Sequence, residues 1–431
     1  MVFRLSTQDA DFEPRFQALL GLKREVSEDV NRATEAILAD VRARGDAALA
    51  DYSRRFDRID FTRVPMRVGA GELAQARARC PASDLSALEL AASRIRRYHE
   101  RQKPSDTRFT DALGVELGWR WTAISAVGLY VPGGSASYPS SVLMNAIPAK
   151  VAGVERLVMV VPAPDGVVSP LVLAAAGIGG VDEIYRIGGA QAVAALAHGT
   201  ATIRPVFKIV GPGNAYVAAA KRLVFGQVGI DMIAGPSEVV VIADKTARPD
   251  FIAADLLAQA EHDAASQSIL ITDDAALGEA VAREVERQLA TLQRRAIAGA
   301  SWHENGAVIL VKDMAEAARL SDRLAPEHLE IMTADPDLVA ADIRDAGAIF
   351  LGENTPEAIG DYVGGSNHVL PTARSARFAS GLGVLDFMKR TSLLRCGPEQ
   401  LRAIGPAAVT LGEAEGLQAH ARSVSLRLSG G

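Results

Sequence analysis

From residue 124 onward the chain repeats one pattern that decides its fold: a short β-branched run, a glycine or proline, then an alanine-rich run at helical spacing. Strands are predicted at 124–131, 156–161, 183–187 and 206–210, with helices following at 141–151, 190–197 and 214–223. Consecutive parallel strands cannot be joined by a hairpin; they need a long crossover, which the intervening helices supply. The pattern restarts after Gly235, with strands at 238–243, 268–272, 308–311, 329–332 and 348–351 and helices at about 249–262, 275–292, 314–323 and 336–345. The expectation is an α/β protein of two Rossmann-like lobes, each a parallel sheet covered by helices on both faces. The lobes share an order of elements but no detectable sequence repeat.

Two regions lie outside this alternation. Residues 1–115 are rich in Ala, Arg, Glu and Asp, with Val30, Ala33, Ile37, Val41 and Leu49 at helical spacing, and read as a mainly helical region packed on the lobes. Residues 378–431 hold no long alternating series and read as a small helical tail. A tail too small for its own core must pack on the lobes or on a second subunit. The expected organisation is therefore 1–115, a first lobe at 116–236, a second lobe at 237–377, and the tail at 378–431. A length of 431 residues suits two or three domains of roughly 150 residues each.

Composition narrows the function classes. Apolar residues at 48% and charged residues at 23% fit a folded soluble protein, and a net charge of −6 offers no general attraction to nucleic acid or an anionic membrane. The longest apolar stretch, 166–181, is interrupted by Ser169, Pro170 and glycines and falls short of a membrane span. The N-terminus lacks the apolar run of a secretory signal and carries acids that a mitochondrial presequence avoids, so a cytoplasmic location is expected. Two cysteines, Cys80 and Cys396, exclude a disulfide framework and a thiolate cluster, leaving any metal to histidine, carboxylate or amide ligands. Seven histidines are available.

Five segments carry chemistry-bearing side chains. Gly211-Pro-Gly213-Asn214-Ala-Tyr216 follows a strand and opens a helix; it is equally a plain turn or an anion and amide contact, and Tyr216 stands where a dinucleotide fingerprint would have its third glycine. Gln259 and His262 are three apart in a helical run and share a face, which permits a ligand pair or an ordinary helix surface. Glu327 and His328 follow Pro326 at the mouth of a βα layer, as an acid and base or as an exposed pair. The segment 360–368, with Asp361 and His368, is a glycine-dense loop with no obvious element. Glu415 and His420 are five apart and share a helix face only if a helix starts between them, as Gly416 allows; otherwise they lie on a solvated tail helix.

Taken in order, the segments Gly128-Leu-Tyr130-Val-Pro-Gly-Gly134, Tyr138 to Asn145, Gly188-Gly-Ala-Gln191, Gly211 to Tyr216, Asp231 to Glu238, Ala258 to His262, Pro326-Glu-His328, Asn367 to Thr372 and Glu415 to His420 resemble the histidinol dehydrogenase family. The resemblance implies a four-electron oxidation of L-histidinol to L-histidine through a bound aldehyde, using two NAD, as the last step of histidine biosynthesis. It implies one zinc per subunit on Gln259, His262, Asp361 and His420. It implies Glu327 and His328 as catalytic acid and base, Tyr130, Gln191 and Asn214 as NAD contacts, and Ser237, Gln259, His262, His328, Asp361, Glu415 and His420 as substrate contacts. It further implies a homodimer in which the tail of one subunit completes the site of the other. His368 receives no ligand role, and His99, His198 and His303 match nothing catalytic. A rival on the same fold is a zinc and NAD dehydrogenase of another small polyol, such as a sulfopropanediol. A carboxylate at Glu415 favours a cationic or imidazole substrate over a sulfonate.

Overall fold

The computed structural model describes residues 2–21, 28–133, 137–233 and 235–430. The predicted alternation folds as two parallel sheets. In the first lobe β4 (Ala126–Tyr130), β5 (Arg156–Val160), β6 (Glu183–Tyr185), β7 (Lys208–Val210) and β8 (Gly229–Ile230) lie in the order β6-β5-β4-β7-β8. In the second lobe β9 (Glu238–Ala243), β10 (Gln267–Thr272), β11 (Ala307–Leu310), β12 (His328–Met332) and β13 (Ala348–Leu351) lie in the order β11-β10-β9-β12-β13. Counted within each lobe, both orders are the same: two strands added to one side of the first, then two to the other. This is the arrangement of a dinucleotide-binding sheet, and all these pairs are parallel.

The central strands of both sheets are buried on both faces, so they are largely apolar instead of alternating. All six residues of β9 are buried. Val239 and Val241 face Leu256, Leu270 and Trp302, while Val240 and Ile242 face Ile269, Ile271 and Leu329 on the opposite side. In the first lobe Leu129 and Met159 share one core with Leu143 and Met144, and Val158 and Val160 share the other with Leu196 and Ile209. The covering helices are α6 (Pro139–Ala152), α7 (Pro170–Gly179), α8 (Gly189–His198) and α9 (Ala215–Val224) in the first lobe. In the second they are α10 (Pro249–Ala260), α11 (Ala275–Leu289), α12 (Arg295–Asn305), α13 (Met314–Leu324), α14 (Pro336–Ala340) and α15 (Glu357–Tyr362).

The N-terminal helices are divided between the lobes. Phe12, Phe16 and Leu19 of α1 (Phe12–Leu20) enter the core of the second lobe. Ile37 and Val41 of α2 (Glu28–Arg44) and Leu49 of α3 (Asp46–Phe56) join one core of the first. Residues of α4 (Ala70–Arg79) and α5 (Ala82–Glu100) join the other.

Strand pairing departs from the sequence reading in two places. The helical N-terminal region is preceded by β1 (Phe3–Ser6), which pairs parallel with β11 at the edge of the second sheet. The tail opens with a strand: β14 (Met388–Arg395) pairs antiparallel with β3 (Glu116–Ala123), which also pairs with β2 (Thr107–Thr110). Beyond it, α16 (Pro398–Ala414) and α17 (Gln418–Ser429) form a hairpin closed where Gly405 meets Val424 and Leu428, and Gly412 meets Ala421. No described helix is long and apolar enough to cross a membrane.

Candidate active site

A cavity of about 1610 Å³ lies between the two lobes. The sheets present opposite edges to it. The first sheet contributes the C-terminal ends of β4 and β7, the adjacent strands at which the order reverses, where open α/β sheets hold ligands. The second contributes the N-terminal ends of β9 and β12, through Ser237 just before β9 and Glu327 and His328 at the start of β12. The β12 strand begins one residue earlier than predicted, because His328 is already in register with Val239 and Ala348.

Tyr130, Gln191 and Asn214 all line the first-lobe wall. The Tyr130 hydroxyl accepts the Gly189 N–H at 2.9 Å, and burial pushes the phenol up to about 12. Gln191 is buried in the first turn of α8. Asn214 caps α9, its Oδ1 accepting the N–H groups of Tyr216 and Val217 at 3.1 and 3.2 Å. The glycine turn before it needs glycine: Gly211 has φ +108°, and a Cβ there would lie 2.1 Å from the Tyr130 carbonyl oxygen. The turn is pinned by a buried ion pair. The Gly211 N–H donates to Asp231 Oδ2 at 2.7 Å, Lys221 Nζ donates to the Gly211 carbonyl at 2.9 Å, and the two charged groups pair with each other.

The second-lobe wall gathers Ser237, Gln259, His262, Glu327, His328 and Asp361. Gln259 ends the last turn of α10, and the His262 N–H bonds back to its carbonyl at 3.2 Å, which keeps both side chains at one end of that helix. Asp361 sits on α15, a short helix where the sequence suggested only a loop. The backbone of Glu238 organises the rest. Its N–H donates to Glu327 Oε2 at 2.9 Å, and its carbonyl oxygen lies 3.1 Å from His328 Nδ1. A carbonyl only accepts, so Nδ1 carries the proton and Nε2 is the basic nitrogen. His328 Nε2 has no hydrogen-bond partner, its nearest carboxylate oxygen being Asp361 Oδ1 at 3.7 Å. The Gln259 amide is oriented with its nitrogen donating to Glu357 Oε1 at 3.1 Å and its oxygen accepting from the Glu238 N–H at 2.7 Å.

The charges around His328 are unbalanced. Glu327 and Glu357 each place an oxygen 3.7 Å from Nδ1, with Asp361 on the other side. Burial opposes the imidazolium, but these three carboxylates outweigh it and hold the imidazole well above its usual range. Burial lifts Glu327 to about 7 and Glu357 to about 8, against the opposing charge of His328. Burial also works against ionisation of Asp361, yet the imidazoles of His328, His368 and His262 keep its carboxyl below the usual range. Partial desolvation pushes the imidazole of His262, which is exposed and lines the cavity, down. Three carboxyl groups crowd one imidazole here, two of them raised by burial toward their neutral forms, and a bound cation would favour their ionised state.

Glu415 and His420 do not join this group within one chain. Glu415 caps α16, His420 stands in the first turn of α17, and both are exposed and outside the cavity lining. A helix does start between them, after Gly416 at φ +74°. Among the described residues no group of three or more His, Cys, Asp or Glu side chains is placed to hold a metal ion. His368 bridges the walls, its Nδ1 at 2.9 Å from the Asp361 carbonyl and its Nε2 at 3.1 Å from Ser141 Oγ on α6. His99 is fully buried against the Ile95 carbonyl, His198 contacts Gln227, and His303 pairs with Glu286, all away from the cavity lining.

Sequence reasoning missed Glu357, Lys221 and the organising role of Glu238. Glu238 and Asp231 stand inside a segment already singled out, so their proximity to the site was legible but their partners were not. Glu357 lies in a stretch with no motif and gives no local signal.

The family model described as histidinol dehydrogenase matches residues 22–428. The histidinol dehydrogenase of Bradyrhizobium diazoefficiens is 68% identical over 429 residues, covering 100% of both chains. That of Nitrobacter winogradskyi is 70% identical over 429 residues, again with 100% of both covered. A crystal structure of histidinol dehydrogenase from Elizabethkingia anophelis superposes with a TM-score of 0.95 at 36% identity, covering 100% of this chain and 98% of that one. The chain belongs to the histidinol dehydrogenase family of oxidoreductases.

Proposed function

We propose that the chain oxidises L-histidinol to L-histidine at the inter-lobe cavity, in two successive hydride transfers to NAD, as the last step of histidine biosynthesis in the cytoplasm. The observation that carries this reading is the convergence of Tyr130, Gln191 and Asn214 from one lobe with Ser237, Gln259, His262, Glu327, His328 and Asp361 from the other on one cavity. Each oxidation takes one hydride from carbon. The overall change converts the alcohol, one water and two NAD into the carboxylate, two NADH and three protons.

His328 does the proton work on the alcohol. Its Nδ1–H is committed to the Glu238 carbonyl, so Nε2 is the nitrogen that exchanges a proton with the substrate. Because the surrounding carboxylates favour the imidazolium, Nε2 must first release its proton, and the neutral imidazole then takes the hydroxyl proton as hydride leaves. Glu327 is fixed by the Glu238 N–H and activates the water that hydrates the aldehyde before the second hydride leaves. Holding the aldehyde within the cavity between the two lobes limits its loss between steps.

The residues present fit a zinc ion. Gln259, His262 and Asp361 offer amide, imidazole and carboxylate donors on one wall, beside the buried carboxyl groups that crowd His328. The fourth donor, His420, would come with Glu415 from the tail of a second copy, since neither reaches the cavity in its own chain. A zinc ion there supplies Lewis acidity and a binding point for the amine and imidazole nitrogens of the substrate. Glu415 gives the substrate amine a carboxylate partner, while Gln259, His262, Asp361 and Ser237 face it from the wall.

Steady-state assay tests the reading. Two NADH per histidinol consumed, one zinc per chain, and no NADH from sulfopropanediol are expected. Absence of turnover with histidinol overturns it.

A further inference from the structure

The first-lobe side of the cavity includes an end walled by α2 and α3, where Ala33, Ile37, Tyr52 and Phe56 line it. One side chain at this end is not explained by packing. Asp57, just after α3, lines the cavity and is 8% exposed, yet none of the described residues donates a hydrogen bond to its carboxylate. Its backbone is fixed on both sides, the N–H donating to the Ser53 carbonyl at 2.9 Å and its own carbonyl accepting the Asp165 N–H at 2.8 Å. The adjacent Arg58 does not serve it, because that guanidinium makes two hydrogen bonds to Asp165 at 2.8 and 2.7 Å. Burial raises the Asp57 carboxyl, and the charge of Arg58 only partly opposes this. Its oxygens are reached by solvent only where the residue lines the cavity, so a ligand that brings donors there takes the place of water.

The place of this carboxylate along the cavity tells which ligand brings them. On the proposed reading of the site the reacting carbon would sit beside His328 on the second-lobe wall, which would put the nicotinamide there and leave the first-lobe wall of α2 and α3 to the adenosine half. Two carboxylate oxygens with no donors match two vicinal hydroxyls, the pairing by which dinucleotide sites hold a ribose. Resting on the NAD reading of the cavity, we propose that Asp57 receives the hydroxyls of the adenosine ribose and selects NAD over its 2′-phosphorylated form. A 2′-phosphate would set two like charges together in a poorly solvated place. Among the described residues, Arg55 also lines that end; it stacks on Phe56 at 5.1 Å and is exposed.

The test compares the full-length enzyme with Asp57→Asn, which keeps shape and removes charge. With histidinol saturating, the variant should raise the KM for NAD by about tenfold to a hundredfold, the range for a hydrogen bond to a charged group, and keep kcat within about twofold. The ratio of kcat/KM for NAD to that for NADP should fall by at least about tenfold, because Arg55 then stands unopposed. A probe that needs no mutation is NAD lacking the adenosine 2′-hydroxyl, which should be a poor cofactor for the native enzyme and no poorer for Asp57→Asn. Native enzyme that uses the deoxy cofactor as well as NAD overturns the assignment, as does a variant with unchanged NAD KM and NAD preference. Native enzyme that turns over histidinol with neither dinucleotide overturns the NAD reading itself, which separates the two failures.

Discussion

The Nδ1 atom of His328 lies 3.1 Å from the carbonyl oxygen of Glu238, and this contact fixes which nitrogen of the imidazole can act as a base. Nε2 is left buried and without a partner. His328→Gln keeps a hydrogen-bonding side chain but has no atom that takes up a proton. It should lower kcat by about a hundredfold to ten-thousandfold while changing the KM for histidinol far less. A variant with native kcat would remove His328 from proton transfer.

Lys221 and Asp231 form a buried pair that grips both polar groups of Gly211. Removing one partner strands the other charge in the interior. Lys221→Met and Asp231→Asn should each cost about 3–5 kcal/mol in urea unfolding, and the double variant should recover much of that loss. Because the pair holds the turn leading to Asn214, the single variants should also raise the KM for NAD. A double variant as unstable as the sum of the singles would show that the pair is not coupled.

Glu183 gives the pH dependence of the first lobe. Burial alone would raise its carboxyl, but hydrogen bonds from Arg156 and Tyr185, with Arg204 nearby, outweigh it and hold the group at about 2. The folded value is therefore depressed, so the stabilisation is fully present above the ordinary carboxylate range and is lost as pH falls toward about 2. Its size is at most about 3 kcal/mol. Glu183→Gln should be less stable than the native chain at pH 7, with the gap closing below about pH 4.5. A gap that stays constant from pH 7 to pH 3 in urea titrations would exclude this linkage.

What could be read from the chain follows from the range of the interactions concerned. The β-branched and alanine-rich alternation is local, and it locates most strands and helices of both lobes but does not mark β8, α7, α12 or α15. The pairing of β14 with β3 joins Thr391 to Arg120, and that of β1 with β11 joins Leu5 to Ile309. Nothing near either member of such a pair announces its partner. The same division runs through the site. His328, Glu327 and the Gln259–His262 spacing stand in recognisable segments. Glu357 and Asp57 matter only because folding brings them to His328 and to the end of the cavity walled by α2 and α3. The second sheet offers its N-terminal edge, against the usual rule for α/β sheets, so strand polarity alone would have placed the site at the wrong end of β12.

The position of the tail leads to a test by subunit exchange. Glu415 and His420 are exposed on the α16–α17 hairpin, while Gln259, His262 and Asp361 face the cavity. If each tail completes the site of a second copy, His262→Asn and His420→Asn damage different components of the same site. Each variant alone should lose zinc and activity. After mixing and re-equilibration, half of the dimers are hybrids. In each hybrid one site receives both damaged components and the other receives neither. Recovery of about a quarter of native activity is therefore expected, together with a matching return of bound zinc. A site completed by the tail of its own chain would give no recovery on mixing, whatever the oligomeric state.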